Sequence, residues 1–429
     1  MGSKPARVLM AGVCAVAMVA CGREPDPTTP RNDGAEQADA ASRTVADAEL
    51  ASYQRDLLTL AFDAASKFPS DPHSKNRGLA QEQVLSACFE LGVPKLALMF
   101  APRAEGWRRG LAYADFAYYS ARQGVTENVE RYLEMARNVA DEEGKDPNAQ
   151  QWRIDKIRLK MARALNALGR TKEAGDLSGG IDATSRGAVD EGWSDTVTST
   201  VLQMTLDDAK RELESVTAAF SNMSLGEQYS TLLILGGIHG RFFSDEGLRA
   251  ATAERILNRF FKLPANLRLD AMAPLVGNHV AHGDVDGARD VIVEMAKLVA
   301  ETTWRPEDKL PQLVRLAELR VDTNEDERAR QELARALSLF QESRDEIFDI
   351  YRSKALRSVA LGFYKVGDEA QAADLLAVAV EEGMQNPNSR PRCFDLVGTC
   401  VALAKRGVEP SPELMARLRE IADQLGAPW

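Results

Sequence analysis

One seven-position pattern recurs along this chain, and it leaves little freedom in how the chain can fold. Around Gly367, taken as zero, positions −11, −8, −7, −4, +5, +9 and +12 hold Leu356, Val359, Ala360, Phe363, Ala372, Leu376 and Ala379. Apolar or small residues at spacings of three and four share one helix face. The pattern predicts two helices joined at a residue that can enter the left-handed region and end the first of them. A lone two-helix hairpin buries too little surface to be stable, so it must stack on others.

The other hairpins are in the chain. Around Gly283 the same positions hold Met272, Leu275, Val276, His279, Ala288, Ile292 and Met295. Around Asn324 they hold Leu313, Leu316, Ala317, Arg320, Ala329, Leu333 and Ala336. Around Gly124 they hold Tyr113, Phe116, Ala117, Ser120, Val129, Leu133 and Ala136. Gly169 and Gly407 each carry a matching first helix, and weaker copies centre on Gly92, Met204 and Leu248. Successive centres are 32 to 45 residues apart, as helical-hairpin repeats require. The expected fold is all-α: a right-handed superhelical solenoid of about nine helix-turn-helix hairpins over residues 44–429. A possible division falls near 179–196, the longest interruption. The first helix is expected from Tyr53 to Phe68, followed by a loop over 69–78. The two ends of such a stack are expected to stand apart.

On these residues the chain resembles the tetratricopeptide superfamily. Leu356, Val359, Ala360 and Phe363 match that family's large, aliphatic, small and aromatic positions on its first helix. Ala372, Leu376 and Ala379 follow its second-helix pattern. The resemblance spans roughly Gln54 to Leu425. It departs at +17, where the family's closing proline is replaced by Met384, Ala300 or Asp141. The resemblance implies a groove that takes a protein or peptide.

The N-terminus reads as an export address. Lys4 and Arg7 precede thirteen apolar residues, Val8 to Ala20, too few to span a bilayer but enough for a secretory signal. Met18-Val19-Ala20-Cys21-Gly22 looks like a bacterial lipobox, which would make Cys21 the lipidated N-terminus and 1–20 the removed signal. Ala15-Val16-Ala17 offers a competing cleavage site. The absence of aspartate after Cys21 favours the outer membrane, facing the periplasm. Residues 21–43, with three prolines and no aliphatic larger than alanine, form a tether with a reach of roughly 25 Å.

Charge and chemistry narrow the function. The chain carries a formal −11, and losing Lys4 and Arg7 leaves it near −13, which argues against nucleic acid or an anionic lipid surface as a general partner. No local signature of a nucleophile, phosphate loop or cofactor site appears, so the expectation is a non-enzymatic binding protein without cofactor or catalytic residues. His279, His282 and Asp284 spell H-x2-H-x-D, but His279 falls where the repeat calls for an aromatic, so packing is preferred to a metal. Gly236-Gly237-Ile238-His239-Gly240 lacks a Walker lysine and is expected to let two helices approach, or to break one. Cys393 and Cys400 lie seven apart on one predicted helix, too far to bridge. Cys88 lies at the far end of the array. Trp107, Trp152 and Trp304 each precede an arginine, and Trp107 and Trp152 both stand seventeen residues before their turn glycine. Trp193 echoes them. Hairpin-to-hairpin packing is the favoured role, and an aromatic ledge for sugar or peptide is the other. Two function classes follow: a membrane-anchored scaffold for protein partners, and a glycan- or peptidoglycan-binding lipoprotein.

Overall fold

The computed structural model describes residues 45–179, 181, 201, 204–258 and 263–429. The described residues belong to one compact unit, Arg43–Trp429. They form helices and no strand. In chain order these are α1 (Ser52–Ala65), α2 (Ser70–Glu90), α3 (Pro94–Phe100), α4 (Arg108–Arg122), α5 (Thr126–Glu143) and α6 (Gln151–Ala167). Next come α7 (Thr171–Ser178), α8 (Leu206–Ala219), α9 (Leu225–Arg241), α10 (Glu246–Asn258), α11 (Ala265–Ala281) and α12 (Val285–Glu301). The last six are α13 (Pro306–Asp322), α14 (Asp326–Ser343), α15 (Asp349–Lys365), α16 (Glu369–Met384), α17 (Ser389–Arg406) and α18 (Pro412–Asp423).

Neighbouring helices pair as hairpins, and the hairpins stack as a helical solenoid. The repeat residues supply the core. All seven pattern residues around Gly367, from Leu356 to Ala379, are buried. The pattern residues around Gly124, Gly283 and Asn324 are buried as well, polar ones included. The −4 position shows how a polar residue is tolerated there. His279 Nδ1 reaches Asp284 Oδ2 at 2.8 Å, and Arg320 Nη1 donates to Glu325 Oε2 at 3.1 Å. In both hairpins the partner acid sits one residue after the turn. A buried polar group with its bond made costs little, and the same group unpaired costs about 1–3 kcal/mol.

Three expectations are corrected. The segment after Phe68 is not a loop: α2 starts at Ser70, with non-helical backbone at Asp71 and His73. Leu248 is not a turn centre but lies within α10, and the α9–α10 turn falls at 242–245. The third concerns the ends of the stack. α1 packs lengthwise on α17, and α2 packs on both α17 and α4. The first helix therefore serves α17 as a second helix serves its hairpin, and the layer of first helices runs on from α17 into α2. Polar contacts pin this seam: Gln54 Nε2 donates to Ala404 O at 2.7 Å and Lys67 Nζ to Ala422 O at 2.6 Å. Phe68, fully buried, meets Phe394 and Trp429 with ring centroids 5.4 and 4.8 Å apart.

Two large cores follow from this arrangement, beside a small contact of Leu159 with Ile181. One joins residues 45–174 to the C-terminal hairpins, and the other gathers residues from Val201 to Ala379. They divide within the α15–α16 hairpin: Ala360 and Leu376 belong to the first, Val359 and Ala372 to the second.

Candidate functional site

The seam creates a cleft of about 440 Å³ on the layer of first helices. α2 contributes Leu79, Glu82, Gln83, Ser86 and Glu90. Their spacings of three, one, three and four place them on one face. Trp107 and Arg108 come from the start of α4, Trp152 and Lys156 from α6, and Val401 and Lys405 from α17. Every lining element is the first helix of its hairpin or the turn leading into it.

Charge in the cleft is arranged around Glu82. Its Oε2 accepts from Arg108 Nε at 2.6 Å and its Oε1 from Lys156 Nζ at 2.8 Å. Burial alone would push this carboxyl up, but Lys156 and Arg108 together hold it below the usual carboxylate range. Arg108 lies in the space left by Gly78, where a Cβ would stand 2.8 Å from Nη1. Its guanidinium carbon sits 4.6 Å from the Trp107 ring centroid, a cation–π contact. Lys405 pairs with Glu90 at the rim.

Trp107 and Trp152 meet edge to face, with ring centroids 5.2 Å apart and planes at 83°. Trp107 is buried and Trp152 half-buried. The pair packs the start of one hairpin on the next and also forms one wall of the cleft. Trp304 is placed elsewhere, donating to Val299 O at 3.0 Å.

The turn residues Gly124, Gly169, Gly283, Asn324, Gly367 and Gly407 have φ of 73°, 74°, 75°, 58°, 85° and 65°. Cys21 and Trp193 lie outside the described residues. Cys88, Cys393 and Cys400 are all free, and all three sit in the same core. The separation expected between Cys88 and the other two is thus removed by the seam. Burial pushes the Cys88 and Cys400 thiols up to about 12 and raises Cys393 as well, which keeps all three as unreactive thiols.

His239, His279 and His282 form a packed cluster with Phe243. His282 stacks on Phe243 with centroids 4.2 Å apart, and His239 and His279 stand 5.1 Å apart. Burial, with His279 nearby, pulls His239 down to about 4, so it is neutral at ordinary pH. Among the described residues no group of three or more histidines, cysteines or acids could hold a metal ion. The glycines of 236–240 lie within the unbroken α9. A Cβ on Gly240 would fall 2.5 Å from Asn278 Oδ1 of α11, so the glycine permits the close helix approach.

Sequence reasoning found the two tryptophans by their shared distance from the turn. It missed Glu82, Lys156 and Lys405, because ordinary charged residues carry no signal until the fold brings them together.

The fold and cleft define a helical-hairpin repeat protein with a charged, aromatic-walled cleft at its seam. Comparison with known proteins gives no family model, no curated sequence and no solved structure that matches the chain.

Proposed function

We propose that this chain is a lipid-anchored scaffold of the bacterial cell envelope, of tetratricopeptide-like build, that binds a protein or peptide partner at the seam cleft. The observation that carries the reading is the cleft itself. Four first helices converge there, and exposed apolar Leu79 stands beside paired charges. An apolar surface with a few placed polar groups is how binding sites are commonly built. Cys21, if acylated, would hold the tether to the membrane and leave the folded part free to meet its partner on the periplasmic side of the outer membrane.

Site-specific photo-crosslinking in native envelopes tests the binding reading. A crosslinker at Leu79 should capture a protein, and one at Val293, equally exposed on the second helix α12, should not. Equal capture at both positions, or none at Leu79, overturns it. Cys21→Ser should abolish fatty-acid labelling and release the protein to the soluble fraction.

Trp152 favours a second reading. A partly buried indole lining the same cleft as Gln83 and Ser86 is also a surface on which a sugar ring can stack. Sedimentation with peptidoglycan, lost in Trp152→Ala, would support that reading over the first.

A further inference from the structure

We propose that the seam cleft receives a carboxylate of an acidic peptide segment, with Arg108 and Lys156 holding the carboxylate and Leu79 and Val401 taking the apolar residues beside it. This rests on the partner-binding reading above and adds the chemistry of the partner.

The first support is unspent hydrogen-bonding capacity. The Arg108 side chain is only 8% exposed. Its Nε is given to Glu82, yet its two terminal nitrogens make no hydrogen bond to any described residue. Lys156 gives one proton to the same carboxylate and has two left. A carboxylate has two oxygens, one to accept from the Arg108 guanidinium and one from Lys156, and bonds between ionised partners are the strong ones.

The second support is charge. The cleft is lined by Arg108, Lys156 and Lys405 against Glu82 and Glu90, one positive charge in excess. The whole chain carries −11. A single excess cation suits a singly charged carboxylate. A phosphate, with nearly two charges, would face repulsion from Glu82 and Glu90.

The third support is the flank. Leu79 is 41% exposed on the α2 face that carries Glu82, and Val401, largely buried, lines the same cleft from α17. Apolar groups flanking a carboxylate anchor fit a peptide, in which an acidic residue has side-chain neighbours. The volume, about 440 Å³, accommodates a few residues rather than a folded domain.

The test uses the full chain and two blocked peptides, acetyl-Ala-Leu-Glu-Leu-Ala-amide and its glutamine counterpart, followed by tryptophan fluorescence. Trp107 and Trp152 report directly on the cleft. The glutamate peptide should bind saturably and at least tenfold more tightly than the glutamine peptide, and added salt should narrow the gap. Lys156→Gln should weaken the glutamate peptide at least fivefold and leave the glutamine peptide unchanged. Because Lys156 also partners Glu82, Lys405→Gln at the rim provides a second variant with an undisturbed core. It should weaken the glutamate peptide by a smaller factor at an unchanged melting temperature. Equal binding of the two peptides, or binding of neither, overturns the proposal. Capture of a protein at Leu79 with no preference for glutamate would leave the partner reading standing and remove the carboxylate. A glutamate preference without capture at Leu79 would do the reverse.

Discussion

The α15–α16 hairpin and the pairing of α17 with α1 do the same structural task by opposite means. In α15–α16 the two helices are joined by Gly367, and each pattern residue finds its partner within a few turns of chain. In α17–α1 the partners lie more than three hundred residues apart in sequence, as in the bond from Gln54 to Ala404. The local hairpin is specified by periodicity and a turn residue. The distant one is specified by surface fit, with Phe68, Phe394 and Trp429 in contact and Cys393 Sγ 3.4 Å from Ala64 O. A stack held at its ends in this way should not behave as a simple row of hairpins. Disturbing its last unit should be felt by its first.

The strongest way to break the comparison is at the seam. Phe68→Ala removes a fully buried ring and should cost about 3–5 kcal/mol. Hydrogen exchange should quicken together in α1, α2 and α17, while α11 to α13 keep their protection. Acceleration confined to α1 and α2 would show that the seam is not cooperative.

A smaller effect follows from Asp395 on α17. Burial, only partly offset by Arg357 and Lys354, pushes its carboxyl up to about 6. The folded state therefore binds this proton more tightly than the unfolded state does. The resulting stability is complete below the ordinary carboxylate value near 3.8 and is lost as pH rises through about 6. Relative to Asp395→Asn, the wild type should lose on the order of 2 kcal/mol between pH 4 and pH 7. Denaturant melts at the two pH values measure this. A constant difference between the two proteins would contradict it.

Gly367→Val tests the local hairpin. No atom crowds the added Cβ, so the cost comes from holding a β-branched residue at φ 85°, about 1–2 kcal/mol. Exchange should quicken in α15 and α16 and, through α17, in α1 as well. Confinement to α15 and α16 would mean that the hairpins are independent.

The smallest effect belongs to Arg419→Ala. Its ion pair with Asp56 crosses the seam at 3.8 Å with both side chains about 60% exposed. Such pairs contribute about 0–1 kcal/mol, so the melting temperature should barely move. A loss as large as that of Phe68→Ala would place the strength of the seam in charge rather than in packing.

The sequence alone determined most of the helices and hairpins, though not the start of α2 or the α9–α10 turn, because each depends on contacts within about forty residues. A seven-position period and a left-handed turn residue are local properties. The chain's position-by-position chemistry therefore carried them even where His279 or Arg320 replaced an apolar residue. Only the tertiary structure decided that α1 completes α17, that three cysteines share one core, and that Glu82, Arg108, Lys156 and Lys405 line one cleft. Those outcomes depend on which faces of distant helices fit one another. A helix face such as Leu79–Glu82–Gln83–Ser86–Glu90 reads in sequence as an ordinary polar surface. It becomes a site only when α4, α6 and α17 are packed around it, and no periodicity along the chain encodes that packing.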